Sequence, residues 1–169
     1  MTKTLCQALG GDAKVKWELQ PTINNAGGLL CIWSDVAFKV EKVTGNGFIY
    51  LEGTWAGDGG KVTIINIYSP CDIASKRILR DEIKQLRAAN NRGLCCILGD
   101  FNCIRRQSER VGVCQRIRNG GNMKEFNDWI ADLDVEDVPS VSRKFTWYRP
   151  NGTSKSKIDR VLVSTDWFC

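Results

Sequence analysis

The feature that most constrains the fold is a short apolar run followed at once by Gly99-Asp100-Phe101-Asn102. The run, Cys95 to Leu98, is typical of a buried strand, and Gly99 lets the backbone or a phosphate group approach closely. If the backbone stays extended, its period of two residues places the side chains of Asp100 and Asn102 on one side. A carboxylate can hold Mg²⁺, and a nearby amide can donate to a phosphate oxygen. The alternative is that these residues form a simple turn after a strand.

Size and charge bound the class of protein. The chain has 169 residues, which suits one domain with a substantial core. Its 24 basic and 19 acidic residues give a net charge of +5, a mild preference for polyanions. No apolar run is long enough to span a bilayer, and Met1 to Leu5 contains no signal-peptide hydrophobic region. We therefore expect a nuclear or cytoplasmic protein that is not secreted and binds no membrane.

The eight cysteines and the absence of histidine limit the chemistry that this sequence can support. Cys31 and Cys95-Cys96 lie within apolar runs, which favours buried free thiols over a disulfide framework. There is no Cys-x-x-Cys pair, so we expect no zinc site. Any mechanism that requires an imidazole base is excluded within this sequence.

Glycine-rich turns separate several strand-like runs in the first half of the chain. Gly45-Asn46-Gly47 indicates a hairpin, and Gly57 to Gly60 indicates the next turn, so three successive strands are expected to form an antiparallel meander. Before them we expect the end of a helix over Met1 to Leu9, a strand or loop edge from Trp17, and a turn at Ala26 to Gly28. The predicted strands are Leu29 to Trp33, buried on both faces, then Phe38 to Val43, Phe48 to Trp55 and Lys61 to Tyr68.

Two helices with apolar stripes are predicted further on. Asp72 is a plausible cap for the first helix, and Asn122 with Glu125 resembles a capping box for the second. We expect the first to bury Ile78, Leu79, Ile83 and Leu86 and to expose Lys76, Arg80, Lys84 and Arg87. We expect the second to bury Phe126, Trp129, Ile130 and Leu133.

The last third combines basic loops with short strands. Arg105, Arg106 and Arg110 begin a polar stretch that reaches Arg118 and is either a phosphate-contacting loop or a solvated one. Phe145 to Tyr148 and Lys157 to Ser164 read as strands. The order of strands, helix, strand, helix and strands favours mixed sheets with helices packed outside.

The motifs together resemble the endonuclease/exonuclease/phosphatase superfamily. Within it, the residues around the motifs most resemble the apurinic-type endonuclease domain of plant non-LTR (LINE-type) retrotransposons. The resemblance covers nearly the whole chain. It is carried by Tyr68, Gly99-Asp100-Phe101-Asn102, Phe145-Thr146-Trp147 and Ile158 to Ser164, together with Gly27 to Trp33, Glu109 to Gly112 and Glu125 to Ile130.

The resemblance implies an α/β fold in the form of a four-layer sandwich, with two mixed β-sheets face to face and helices outside. It implies Mg²⁺-dependent hydrolysis of a DNA phosphodiester. Asp100 would orient or deprotonate the attacking water and contact the metal, Asn102 and Tyr68 would bind the scissile phosphate, and Asp159 would orient a catalytic histidine. Tyr68 could instead be a core or rim tyrosine, and Asp159 could pair with Arg160 or Lys157.

The departures from the family pattern are large. The family's metal-ligand Glu and its catalytic His have no counterpart in this sequence, so we expect a single-domain fragment of the fold that lacks the first strand or strands and the final His segment. We expect it to be inactive, because one carboxylate binds Mg²⁺ weakly. With an exposed sheet edge it should also be marginally stable or associate with other chains.

Three other functions stay open. The chain could be a non-catalytic remnant that binds nucleic acid through Arg105, Arg106, Arg110 and the stretch containing Lys155 and Lys157. It could be a phosphoinositide or sphingomyelin phosphodiesterase, although the resemblance of its motifs to retrotransposon domains disfavours this function. It could also be a decayed element with no function. Phe145 and Trp147 are expected to pack in the core, although an aromatic near the site could wedge against DNA.

Overall fold

A computed structural model of the chain describes residues 8, 15–21, 28–45, 47–90, 93–112, 119–141 and 143–168. Contacts divide the chain into two compact units, Met1–Tyr68 with Arg92–Ile97, and Ser69–Asn91 with Leu98–Cys169. Most of the predicted helix end at residues 1–9 and most of the predicted turn at residues 26–28 lie outside the described residues. No helix in the described part of the chain is long and apolar enough to cross a membrane.

In the first unit, antiparallel pairing joins the first two strands to each other and joins the next three strands in succession. β1 and β2 pair with Val15 opposite Ser34, and β3, β4 and β5 form the predicted meander, followed in sheet order by β6. Gly47 has a φ of +80°, as a tight hairpin turn requires. The strands are β1 (Val15–Gln20), β2 (Leu29–Ser34), β3 (Phe38–Thr44), β4 (Phe48–Trp55), β5 (Lys61–Tyr68) and β6 (Leu94–Asp100), whose residues up to Ile97 belong to this unit.

The core of the first unit lies between β1–β2 and the meander. Asn66 on β5 donates from Nδ2 to the carbonyl of Leu30 at 3.2 Å, which ties β2 to β5. The expectation that β2 is buried on both faces is wrong, because β2 has a single strand partner and only Leu29 at its start is fully buried. The buried cluster consists of Leu29, Phe38, Ile49, Leu51 and Val62.

The second unit combines two helices with short strands. In sheet order, β6 is followed by β11 and β8, and a separate small sheet has the order β7-β10-β9. This mixture confirms the α/β class, while the face-to-face sandwich stays a prediction. The elements are α1 (Ile73–Ala89), β7 (Arg110–Gly112), α2 (Asn119–Asp132), β8 (Val135–Asp137), β9 (Trp147–Tyr148), β10 (Ser154–Ser156) and β11 (Asp159–Ser164).

The orientation of α1 differs from the prediction. Asp72 is its N-cap, as expected, and accepts the backbone N–H of Ser75 at 2.8 Å. Leu79 and Ile83 are buried, but so are two cations that were expected to face solvent. Lys76 is 3% and Arg80 is 8% exposed, whereas Ile78 is 61% exposed. The cations lie inward because their neighbours are a polar loop and the aromatic face of α2, which accept hydrogen bonds and a cation–π contact.

The second helix, α2, begins earlier than predicted. It starts at Asn119, so Asn122 is an internal residue and the proposed capping box is wrong. The Nε1 group of Trp129 donates to the carbonyl of Arg80 at 3.0 Å, which joins α2 to α1. The predicted apolar stripe is confirmed, because Phe126, Trp129, Ile130 and Leu133 are all buried.

Aromatic side chains near the sequence motifs divide between core and surface. Phe145 is buried, as predicted, but Trp147 is 42% exposed, so its assignment to the core is wrong. Trp147 lies on β9, an edge strand of the small sheet, where no described element covers it. Phe101 packs on Phe126 with ring centroids 5.3 Å apart.

Candidate functional site

The loop after β6 has a geometry that strand periodicity did not predict. The strand ends at Asp100, Gly99 has a φ of +127° and Asn102 has a φ of +46°. The expectation of an extended backbone through Asn102 is therefore wrong. A turn brings the two residues together instead, with the backbone N–H of Asn102 donating to Oδ1 of Asp100 at 2.7 Å. Such side-chain-to-backbone bonds are typical of Asp in turns.

Two further residues of the second unit fix this loop. Ser69, which is buried, donates its backbone N–H to the carbonyl of Asp100 at 2.7 Å. Its own carbonyl accepts Nδ2 of Asn102 at 2.6 Å. The ammonium of Lys76 donates to the carbonyl of Asn102 at 2.7 Å. Sequence reasoning did not assign Ser69 or Lys76 to the site, since their contacts depend on residues about thirty positions away in the chain.

Asp100 and Asp159 are electrostatic neighbours. The backbone N–H of Phe101 donates to the carbonyl of Ile158 at 2.9 Å, which places the ends of β6 and β11 side by side. Burial raises the pKa of Asp100 above its ordinary value. The N–H of Asn102 and the charge of Lys76 oppose that rise in pKa, and the charge of Asp159 adds to it. The site therefore concentrates two carboxylates beside one buried cation.

The alternative reading of Asp159 as an ion-pair partner is wrong for the described residues. Arg160 pairs with Glu109 and Asp137, and Lys157 pairs with Asp137 at 3.5 Å. Asp159 is exposed and forms no ion pair with any residue that the structure describes. Its backbone N–H donates to Oγ1 of Thr146 at 3.0 Å, which fixes the start of β11.

Tyr68 is the last residue of β5 in the first unit. Its half-buried ring packs against the apolar cluster of that unit. This packing agrees with a rim position, and the predicted hydrogen bond from Tyr68 to a phosphate stays a prediction.

The residues predicted to bind nucleic acid differ in what else they contact. Arg105 donates from Nε to Oδ1 of Asn127 at 2.9 Å and lies 3.7 Å from Asp137, so its charge is already compensated. Lys157 shares the same Asp137 carboxylate. These two half-buried cations already lie near a carboxylate of the protein, which leaves less of their charge for an external phosphate.

The other three predicted cations have no carboxylate partner within the described residues. Arg106 is exposed. Arg110 donates from Nε to Oγ of Ser156 at 3.0 Å, and the ammonium of Lys155 lies 4.8 Å from the ring centre of Phe145. Part of the predicted basic stretch, residues 113–118, lies outside the described residues.

An ion-pair network that sequence reasoning missed holds the basic loop in place. Arg160, whose side chain is fully buried, donates to the carboxylates of Glu109 and Asp137. Glu109 also accepts the backbone N–H groups of Arg105 at 2.7 Å and Arg106 at 3.3 Å. Burial tends to raise the pKa of Glu109, but the hydrogen bonds from Arg160 and Arg105 outweigh it and lower the pKa. No local sequence signal could reveal the pair, because its members are 51 residues apart.

The donor set at Asp100 does not by itself fit a resident magnesium ion. Mg²⁺ takes six oxygen ligands in octahedral geometry, several of them water, and is commonly anchored by carboxylates. No group of three or more His, Cys, Asp or Glu side chains that could hold a metal occurs in the described part of the chain. Asp100 has Asp159 as its carboxylate neighbour, and the ammonium of Lys76 lies close enough to affect its pKa.

Comparisons with known proteins agree with this architecture. Residues 6–169 match the Endonuclease/Exonuclease/phosphatase family. The endonuclease domain of TRAS1, a telomere-specific non-LTR retrotransposon, superposes with a TM-score of 0.64 at 13% identity over 92% of this chain and 69% of that domain. The 3′ phosphatase NExo from Neisseria, bound to product DNA hairpin, gives 0.63 at 16% identity over 98% of this chain and 71% of that one.

A sugar phosphatase shares the fold as well. The mannosyl-6-phosphatase Bt3783 of Bacteroides thetaiotaomicron gives a TM-score of 0.57 at 13% identity, over 91% of this chain and 64% of that one. The chain thus spans about two thirds of the length of these structures. At such identities the likeness shows the fold alone, and no curated protein matches the chain in sequence.

Proposed function

The chain belongs to the Endonuclease/Exonuclease/phosphatase family, and from this premise we propose that it is a DNA endonuclease-type domain of the non-LTR retrotransposon kind. Three segments resemble the plant LINE-type subgroup and support this choice over the sugar and lipid phosphatases, namely Gly27 to Trp33, Glu109 to Gly112 and Glu125 to Ile130. The structural likeness to the TRAS1 endonuclease domain agrees with it. The substrate class is the phosphodiester backbone of DNA.

The observation that carries the proposal is the convergence of groups around the loop after β6. Asp100 supplies a carboxylate, Asn102 supplies an amide and Lys76 supplies a buried positive charge. Asp100 and Lys76 are each joined to the loop by a hydrogen bond of 2.7 Å, and the amide of Asn102 donates to the carbonyl of Ser69 at 2.6 Å. Donors held rigidly in this way can bind phosphate oxygens without further ordering. Asp159 lies at the start of the adjacent strand β11, which supports the proposal.

We further propose that these 169 residues bind DNA without hydrolysing it. A phosphodiesterase of this family would use the metal to neutralise the phosphate and activate water, and the described carboxylates do not provide its ligand set. The sequence also contains no histidine, so Asp159 has no imidazole to orient. Losing a general acid or base alone typically costs ~10²–10⁴-fold in rate.

The test measures cleavage and binding on the same preparation. Supercoiled plasmid and an abasic-site duplex are incubated with Mg²⁺ or with EDTA, and a gel shift is recorded at increasing salt concentration. We expect no nicking, together with a shift that fades as salt rises. Mg²⁺-dependent nicking that disappears in Asp100→Ala would contradict the proposed inactivity. Absence of both nicking and binding would contradict the assignment to DNA.

The matched control variant is Asp81→Ala. Asp81 is an exposed carboxylate on α1 that forms no ion pair with a described residue, so its removal changes the net charge by the same amount. We expect Asp100→Ala to alter DNA binding by more than Asp81→Ala does, because only Asp100 lies at the site. Equal effects would mean that binding responds to net charge alone.

A further inference from the structure

A cavity of about 310 Å³ lies beside the loop after β6, within the second unit. The first turn of α1, the loop itself, β7 and the beginning of α2 form its walls. A water molecule occupies roughly 30 Å³ of liquid, so the cavity has room for a phosphate group and several waters. Its polar and thiol lining residues include Cys71, Lys76, Asn102, Cys103, Arg110 and Asn122.

The cations around this cavity lack carboxylate partners. Lys76 is 3% exposed, and its three donors have a single hydrogen-bond acceptor among the described residues, the carbonyl of Asn102. Arg80, behind the wall, is 8% exposed, and its Nη1 atom is buried with no hydrogen-bond partner in the described structure. Lys76, Arg80 and Arg110 form no ion pair with any described carboxylate. Burying a charge without a counter-charge is costly, so the imbalance calls for an anion.

The carboxylates nearby are already hydrogen-bonded elsewhere. Asp72 lines the cavity, but it caps α1 by accepting the N–H of Ser75 at 2.8 Å. Asp100 accepts the N–H of Asn102 at 2.7 Å. Neither carboxylate forms an ion pair with Lys76, and the carboxylate of Glu125, near Arg80, pairs with Arg77. The charges of Lys76 and Arg110 are therefore not matched by an ion pair within the described residues. Desolvation by burial lowers the pKa of Lys76, as expected for a cation whose counter-charge is incomplete.

The amide groups at the cavity are arranged as donors. Oδ1 of Asn122 accepts Nη2 of Arg80 at 3.2 Å, and the Nδ2 group of Asn122 has no hydrogen-bond partner among the described residues. Arg110 donates from Nε to Ser156, and its two terminal nitrogens have no hydrogen-bond partner in the described part of the chain. Lys76 keeps two donors in addition to the one that it gives to Asn102. An acceptor with several negatively charged oxygens satisfies all of these groups at once.

We propose that this cavity is a phosphate-binding pocket, in which Lys76, Arg110 and Asn122 bind one phosphate group next to Asn102. The pocket rests on the proposed function only in taking the DNA backbone as the source of that phosphate. A free phosphate or phosphomonoester offers the same chemistry, and the experiment separates the two sources. Arg80 is a positioning residue, because it acts through Asn122.

The first arm of the test measures the affinity of the full chain for a labelled 20-base-pair duplex by fluorescence anisotropy, in EDTA. We expect Lys76→Gln to weaken binding about tenfold and to reduce the slope of log K against log salt by about 0.9, the value for one lost phosphate contact. Lys84→Gln is the matched control, since Lys84 lies on the same helix and pairs with Asp132 away from the cavity. We expect it to change affinity less than twofold.

The second arm measures the melting temperature of the chain in inorganic phosphate against chloride at equal ionic strength. We expect phosphate to raise the melting temperature of the wild type and of Lys84→Gln, but not of Lys76→Gln. Phosphate stabilisation with unchanged duplex affinity would keep the pocket and assign it to a free phosphate. No stabilisation and equal affinities for the two Lys variants would overturn the proposal.

A second variant covers the case in which Lys76→Gln does not fold. Arg110→Gln removes a partly exposed cation from the other wall of the cavity and should lower phosphate binding in the same direction. Circular dichroism of each variant establishes folding. Both arms are run without metal. Phosphate binding in these conditions would support the pocket whether or not the chain hydrolyses DNA, so the two proposals are tested separately.

Discussion

The buried cations of the second unit differ in whether a carboxylate of the protein neutralises their charge. Arg160, with a fully buried side chain, donates to two carboxylates. Lys76 and Arg80, almost as deeply buried, have backbone, amide and aromatic neighbours but no carboxylate ion pair within the described residues. The difference separates a cation whose counter-charge is built into the protein from cations whose counter-charge must come from elsewhere.

The comparison shows that a buried charge can contribute either to the stability of the fold or to the binding of a ligand. A buried pair contributes most clearly when one partner is removed, because the remaining charge is then stranded. A buried cation without a counter-charge costs stability in the free protein, and that cost is recovered when an anion binds. The Glu109–Arg160 pair also holds the backbone of Arg105 and Arg106, so it fixes the loop that leads into the cavity.

The variant Glu109→Gln tests the paired side of this comparison and has the largest expected effect. We expect a loss of about 1.5–3 kcal/mol in the free energy of unfolding at pH 7, the usual range for a hydrogen bond to a charged group, because Arg160 keeps Asp137 as its second carboxylate. The folded-state pKa of Glu109 lies below its ordinary value of 4.5, so its contribution is present above that value and disappears as the pH falls through the folded pKa. Urea unfolding at pH 7 and pH 3 measures both effects.

The exposed Lys84–Asp132 pair is the control for that prediction. Lys84→Gln should leave the unfolding curve unchanged, because exposed pairs contribute little. If Glu109→Gln behaved like Lys84→Gln, the Arg160 network would not be a stabilising element.

Lys76→Met tests the other side of the comparison. Methionine keeps an unbranched side chain of similar shape, one atom shorter, and removes its charge, while the carbonyl of Asn102 loses a donor, so we expect a change within about 1 kcal/mol. Since burial lowers the pKa of Lys76 from 10.5, wild-type stability should rise as the pH increases from the folded pKa towards 10.5. The variant should lack that rise in urea unfolding between pH 7 and 10. A loss as large as that of Glu109→Gln would remove the distinction between the two groups.

Asp100→Asn should give the smallest effect. Burial raises the pKa of Asp100 above its ordinary value of 3.8, so the wild type loses stability as the pH rises from 3.8 through the folded pKa. The amide keeps an oxygen that can accept the N–H of Asn102, and we expect a gain of less than about 1 kcal/mol at pH 7 because Asp100 is only half-buried. Thermal melts from pH 3 to 7, with Asp81→Asn as the control, measure it. A loss of stability at pH 7 would show that the carboxylate is needed to hold the loop.

Local patterns predicted what local forces decide. β4 and β5 have the bounds that their alternation and glycine turns indicated, and Asp72 caps α1 as its side-chain chemistry suggests. The polar strand Ser154–Ser156 was not predicted, because its pairing with β7 and β9, not its propensity, makes it a strand. The inward turn of Lys76 depends on a carbonyl 26 residues away, which no helical period can reveal.

The features of the candidate site also divide into those that the local sequence predicted and those that it did not. Asp100 and Asn102 were found because their motif is contiguous, but the turn between them was missed, since an extended period assumes that the strand continues. Glu109 and Arg160 were each visible in the sequence, yet nothing local marks them as partners across 51 residues.

The exposed thiol of Cys71 gives the cavity a chemical handle. Of the cysteines that the structure describes, Cys71 alone is exposed, while Cys31, Cys95, Cys96 and Cys103 are buried or partly so. Because Cys71 also lines the cavity, a fluorophore attached there would sit beside the phosphate pocket. The alkylation rate at Cys71, with and without phosphate and followed by peptide mapping to separate it from the other cysteines, would then report occupancy of the cavity.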